Sequence, residues 1–502
     1  MTSRGGNAPT LTTRRGGNRK KKISGRVVVI SCFALAVIAA AGTVIFAVRS
    51  TTEEARQRRE YIANNESKVI KNASIPGRSR EEGAYDNDKY HLVFSTDCGA
   101  YQRWQSYLMF SSALTVKQPG RVTRIASGCT DEEAADEKAW HEEHVQGRMS
   151  SRFGLHLTPH FSKVKDENGE ETGKRYDFFN KPFGVRHWME NGEGMGINPA
   201  TGSARNEDLI VILIDPDQIL LSPITENFEN DHIFHGGQLD GQKVKHGSPF
   251  ASKYGFGSDW LRVKEVAGPD SPVLAVSRKE AAERYPAGPP YVATAKDFYP
   301  IAVKWTEYVP LVHKIYPHLL AEMYAYCLAA AHLNLPHQIV STLMVSDTTI
   351  GTEGWPLLED VAADKMCQFG TDVRKAGTAR TLPSVLHYCQ RYMLGKHFFG
   401  KRRLPKDFLT CEKPLLIMPP FDVGAKYDYR IPPPPHRPPG EKKPVPQGVA
   451  KREAFMLCAI TQTLNDAARF FKHHACQGKD ANLGETLDLW DVKDMHTSTG
   501  RG

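Results

Sequence analysis

The sequence contains no Cys-x-x-Cys pair and no internal repeat, and beyond residue 26 it carries no net charge. Each absence removes a class of protein. Without closely paired cysteines a zinc ribbon or finger of that kind is excluded. The formal net charge of +8 suggests a polyanion partner until its distribution is read. Residues 1–26 hold eight Lys or Arg and no acid, which leaves 57 basic against 57 acidic residues in the remainder. A neutral body has no electrostatic footprint for nucleic acid. At 40% hydrophobic and 24% charged residues, the composition is that of a globular chain rather than a disordered one.

The basic N-terminus has a neighbour that accounts for it. Val27 to Val48, "VVVISCFALAVIAAAGTVIFAV", is 22 residues without a charge. At ~1.5 Å per residue, a helix of that length crosses a bilayer core. "RKKK" at 19–22 and Arg26 precede it, so the positive-inside rule keeps the N-terminus cytosolic and the body lumenal. A cleaved signal peptide is the alternative, with "AAAG" as its small residues, but its apolar region would be long. Eight cysteines follow the span, an even number that permits up to four disulfides in an oxidising compartment. Two glycosylation sequons, at Asn65 and Asn72, fall just beyond the span.

After a polar stretch at 49–88, apolar runs of strand character alternate with helical patterns. The runs are "YHLVFST" (90–96), "RVTRIAS" (121–127), "LIVILID" (209–215), "SPVLAV" (271–276) and "IVSTLMVS" (339–346). "YQRWQSYLMFSSAL" and "PHLLAEMYAYCLAAAHLN" have helical spacing. This alternation predicts an α/β layer fold with a mainly parallel sheet, whose ligands gather at the carboxyl ends of strands. "RIPPPPHRPPGEKKPVPQG" (430–448) is too rich in proline for helix or central strand. The segment after it regains helical spacing, with Phe455, Leu457, Ile460 and Leu464 on an apolar face that predicts docking on the body.

In "EDLIVILIDPDQILLSPI" two carboxylates, Asp215 and Asp217, interrupt a buried-strand pattern. If the segment stays extended, residues two apart point the same way. Two hard oxygen ligands there can hold a divalent cation, and such a cation can bridge two phosphates. The alternative is an Asx-turn closing a core strand. A phosphatase with an aspartyl nucleophile uses a similar signal, but Ile219 stands where Thr or Val is expected, and no matching downstream lysine-and-acid pattern stands out.

"HLVFSTDCGAYQRWQSYLM", "GRVTRIASG", "NKPFGVRHWMEN", the acidic strand, "LLAEMYAYCLAAAHLNLPHQ" and "LPSVLHYC" occur in one order. In that order the chain resembles plant and algal hydroxyproline O-arabinosyltransferases. It also resembles the related peptidyl-serine α-galactosyltransferases, through a C-terminal "TQTLNDAARF". The likeness covers roughly 89–425 and the last helix. It implies a GT-A-like α/β domain, a UDP-sugar donor, and a hydroxyproline- or serine-rich secretory protein as acceptor. It also implies a single-pass type II Golgi membrane enzyme.

The resemblance carries residue expectations. Asp215 and Asp217 become the metal-binding DxD element for Mn²⁺ or Mg²⁺, with His387 as third ligand. Glu322, the only acid in an apolar helix, is expected at the sugar or acceptor. Thr96 and Asp97 are expected at the nucleotide, and Arg124, Lys181 and Arg186 at the donor phosphates. Trp104 and Gln105 are expected to pack the first helix. The expected organisation is a cytosolic tail (1–26), signal-anchor (27–48), stem (49–88), catalytic domain (89–425), proline strap (426–449) and C-terminal helix with tail (450–502). The expected reaction is retaining transfer of arabinofuranose to hydroxyproline. Its alternatives are serine α-galactosylation, or a membrane-anchored glycan-binding protein without turnover.

Overall fold

The acidic strand end owes its position to a sheet built from short, β-branched runs. A computed structural model describes residues 88–166, 168–228, 243–374, 381–434, 441–476 and 481–493. The tail, the apolar span, residues 49–87 of the stem, Asn65 and Asn72 lie outside the described residues. Among the described residues no helix is long and apolar enough to cross a membrane.

In chain order the first half contains β1 (Tyr90–Asp97), α1 (Ala100–Thr115), β2 (Arg121–Ser127), α2 (Asp131–His141) and β3 (Phe153–Thr158). An exposed hairpin, β4 (Lys163–Lys165) and β5 (Glu171–Arg175), leads to α3 (Asn180–Asn191), β6 (Ile210–Ile214) and β7 (Gln218–Leu220). Then come β8 (Phe250–Lys253), α4 (Arg278–Arg284), β9 (Ala287–Thr294), α5 (Ala295–Ile315), α6 (Ala321–His332), β10 (Gln338–Val340) and β11 (Met344–Val345). The last part holds α7 (Met366–Asp372), β12 (Val385–His387), the hairpin β13 (Arg391–Leu394) and β14 (His397–Gly400), and a long α8 (Gln447–Ala475).

Seven strands form the central sheet in the order β10-β8-β9-β6-β1-β2-β3. All pairings are parallel except the two made by β9, so six strands run one way. Alternation along each strand supplies two cores. Leu92, Phe94, Ile212 and Ile214 face α1 and α8, where they meet Trp104, Tyr107, Phe455 and Leu464. Val93, Val211 and Leu213 face the other layer, with Trp188, Trp305 and Tyr326. The described residues therefore form α/β layers around a mainly parallel sheet.

Local chemistry explains where elements begin. Helix α2 opens with a capping box: Thr130 accepts from Glu133 N, and the Glu133 carboxylate accepts from Thr130 N. Helix α8 buries Phe455, Leu457, Ile460 and Leu464. It is tied to its surroundings by disulfides Cys367–Cys458 and Cys411–Cys476, and a third bridge joins Cys98 to Cys129. Cys327 and Cys389 are free thiols.

One strand expectation needs correction, and one strand was not foreseen. "SPVLAV" forms a single 3-10 turn, Pro272–Ala275, because Ser271 caps Val273 N and Pro272 sits at the helix start. Conversely β9 is a central strand despite Pro289 and Pro290. The two prolines coincide with a register shift against β8, so their missing N–H groups fall where the ladder is already interrupted. Gly288 beside them is required for packing: a Cβ there would meet the Tyr254 ring at 2.0 Å.

Candidate active site

Strand β6 stops at Ile214, and the chain reverses through Asp215-Pro216-Asp217 into β7. The reversal is a turn rather than a continued strand: Gln218 N donates to Asp215 O at 3.1 Å, and Asp215 N donates to Gln218 Oε1 at 3.1 Å. Of the two arrangements open to this segment, the chain adopts the turn, which still brings both carboxylates to one side. The small sheet β7–β12–β11 does the rest. Antiparallel pairing places His387 opposite Gln218, so the imidazole lands beside Asp217. Ligand-capable atoms of Asp215, Asp217 and His387 all lie within 4.8 Å of one another. Two carboxylates and an imidazole at that spacing fit a divalent cation that accepts both oxygen and nitrogen, as Mn²⁺ does.

The cluster is densely charged. Asp217, 8% exposed, receives His387 Nε2 at 3.2 Å on Oδ1 and the Lys401 ammonium on Oδ2. Burial alone would raise its pKa, but Lys401 and His387 outweigh it and hold the carboxyl well below the usual carboxylate range. His387 moves the other way: burial opposes its charge, yet Cys389 and Asp217 hold it well above the ordinary imidazole range. The His387 ring also has Tyr254 OH at 3.5 Å from Nδ1.

Asp215 leads to the second half of the site. Lys181 Nζ, from the first turn of α3, lies 2.7 Å from Asp215 Oδ1 and 3.4 Å from Glu322 Oε1. The ammonium is thus paired with two carboxylates of the chain itself, directly beside the acidic turn. Glu322 opens α6, where its N–H donates to Tyr176 OH at 3.1 Å and its carbonyl accepts from Trp305 Nε1 at 2.8 Å. Its side chain is fully enclosed, and Oε1 makes no hydrogen bond. Burial pushes its carboxyl up to about 7 against the pull of Lys181.

That shift makes a stability prediction. The folded carboxyl holds its proton more tightly than an unfolded one titrating near 4.5. Stability therefore falls as pH rises from about 4.5 to about 7 and is flat beyond. Glu322→Gln never ionises, so urea midpoints should show the variant gaining about 3 kcal/mol on wild type across that window. Parallel pH curves for the two proteins would place Glu322 in an ordinary environment.

The remaining expected residues are placed differently. Thr96 and Asp97 do end β1, next to the acidic turn in the sheet order. Arg124, however, is wholly buried. Its guanidinium donates to Thr96 Oγ1 at 2.9 Å, Asp97 O at 3.2 Å and Glu137 Oε2 at 2.6 Å. It braces the strand end from inside and has no free face for a diphosphate. Arg186 pairs with Glu190 at 2.9 Å and with Thr306 of α5 at 3.1 Å, so it belongs to the α3–α5 contact. Trp104 and Gln105 are buried on α1. Sequence reasoning missed Lys401, Gln218 and Tyr254. Lys401 lies 184 residues from Asp217, and no local pattern joins them.

Comparison with known proteins adds a direction. No family model matches the chain. It is 28% identical over 283 residues to a peptidyl serine alpha-galactosyltransferase of Arabidopsis thaliana, spanning 55% of this chain and 30% of that protein. A second match, 27% identical over 148 residues, is the Chlamydomonas reinhardtii protein of the same description, spanning 29% of this chain and 16% of that one. The chain is similar to peptidyl serine α-galactosyltransferases. It spans less than a third of the length of these relatives. Among solved structures, galactosyltransferase LgtC with donor and acceptor sugar analogs aligns at 11% identity, over 60% of this chain and 87% of that one. Its TM-score of 0.29 is too low to bear on the fold. An active-site mutant of LgtC behaves alike, at 10% identity and a TM-score of 0.30.

Proposed function

We propose that this chain is a metal-dependent glycosyltransferase of GT-A type, moving a galactosyl group from a UDP-sugar to a serine hydroxyl of a polypeptide. The observation that carries the reading is the meeting of Asp215, Asp217 and His387 at the carboxyl end of a sheet strand. In the reaction the bond between the sugar C1 and the diphosphate oxygen breaks. A new bond forms from C1 to the acceptor oxygen, and the hydroxyl proton passes to the leaving diphosphate. A cation on the three ligands would supply charge neutralisation for the leaving diphosphate. Glu322, enclosed and poised near neutrality, would position the acceptor hydroxyl or the sugar from the far side of Asp215.

The matched relatives favour serine galactosylation over the arabinosylation of hydroxyproline that the sequence motifs first suggest. The basic tail and uncharged span support a lumenal catalytic body anchored by one helix in the Golgi membrane. The test is transfer by the full chain from UDP-galactose or UDP-arabinofuranose to matched Ser-rich and Hyp-rich peptides, with Mn²⁺. The expected result is galactose on serine. Arabinose on hydroxyproline would restore the other assignment, and no transfer with any pair would reject the enzymatic reading.

A further inference from the structure

Asp217 has both carboxylate oxygens engaged by basic side chains of its own chain. His387 sits on one oxygen and Lys401 on the other. A dication held by Asp215, Asp217 and His387 needs oxygen lone pairs of Asp217. An ammonium hydrogen-bonded to that carboxylate competes for them, and at a few ångströms it also repels the incoming ion. Lys401 is therefore a rival of the cation as the structure stands.

Its placement allows it to yield. Lys401 begins the short turn that follows β14, and its backbone is anchored by the β13–β14 hairpin register. Its side chain is 24% exposed, whereas that of Lys181 on Asp215 is 13% exposed. A flexible four-carbon stem can carry the ammonium off Asp217 without unpacking either core. Once displaced, the charge remains tethered at the mouth of the same cluster, where an arriving anion would pair with it.

We propose that Lys401 is a tethered counter-ion of Asp217, displaced by the divalent cation and captured by the diphosphate of the donor nucleotide. This makes the two ligands bind cooperatively. It rests on the metal-and-nucleotide reading above and goes beyond it by assigning the coupling between the two ligands to one residue. Cation binding alone has to separate the Asp217–Lys401 pair, so it is weak. Nucleoside diphosphate re-pairs the ammonium, so each ligand strengthens the other by the same factor.

The experiment is calorimetry on the full chain with Mn²⁺ alone, UDP alone and each in the presence of the other, with free Mn²⁺ held constant. Wild type is expected to show coupling of about tenfold or more. Lys401→Gln should bind Mn²⁺ alone roughly tenfold more tightly than wild type, bind UDP with Mn²⁺ more weakly, and lose most of the coupling. Lys401→Arg, which keeps the charge, should retain coupling. A gain in metal affinity cannot come from a damaged fold, so the main readout survives partial destabilisation. If Lys401→Gln binds Mn²⁺ no more tightly than wild type, or keeps the full coupling, the inference is overturned while the metal site stands. If wild type takes up neither ligand, the functional reading falls and the inference with it.

Discussion

Asp217→Asn should lower sugar transfer by about a thousandfold at saturating Mn²⁺, a loss of about 4 kcal/mol of transition-state stabilisation. The substitution keeps the side-chain volume and removes the charge on which the cluster is organised. His387 and Lys401 both point at this carboxylate, and the proposed cation would draw one of its anionic ligands from it. Asparagine can still accept a hydrogen bond from either neighbour, so the turn into β7 should persist. Steady-state rates with UDP-galactose and a serine peptide measure the effect, and thermal unfolding checks the fold. A variant within tenfold of wild type would mean that the two aspartates merely shape the turn.

The second large effect concerns stability. Glu137→Ala should destabilise the chain by about 3–5 kcal/mol, because it leaves the Arg124 guanidinium charged, buried and without its carboxylate. Arg124 is 0% exposed, and the pair ties α2 to β2, from which Arg124 also braces the end of β1. Glu137 also receives Arg103 at 2.8 Å, but Arg103 keeps its second partner Asp136, so the cost falls on Arg124. Replacing both members together, as Arg124→Met with Glu137→Leu, should recover much of the deficit, since apolar groups need no partner. Urea unfolding of the single and double variants separates these outcomes. A single variant within 1 kcal/mol of wild type would show that water reaches Arg124.

Those two sites also show what a sequence discloses. β6 was legible because a continuous apolar run of β-branched residues has few other stable arrangements. β1 and β2 were legible because their shorter apolar stretches alternate with helical patterns. β9 was not, since two prolines argue against a central strand unless a register shift is foreseen. The acidic turn was legible because carboxylates rarely break a buried strand without a cationic reason. Arg124 was misplaced for the converse reason. A strand arginine is ordinarily exposed, and its burial is made tolerable by the carboxylate of Glu137, thirteen residues on in a capped helix, together with Thr96 and Asp97 O. Lys401 and Lys181 show the same limit. Their partners are set by how β12, the β13–β14 hairpin and α3 converge on one strand end, which local spacing does not encode.

The central claim, that Asp215, Asp217 and His387 hold a divalent cation against a nucleoside diphosphate, has a direct test. Crystals of the protein grown with Mn²⁺ and UDP should give an anomalous peak about 2.0–2.4 Å from one oxygen of each aspartate and from His387 Nε2, with diphosphate oxygens completing its shell. Diphosphate bound at this cluster with no anomalous peak, or Mn²⁺ bound elsewhere on the chain while transfer proceeds, would contradict it.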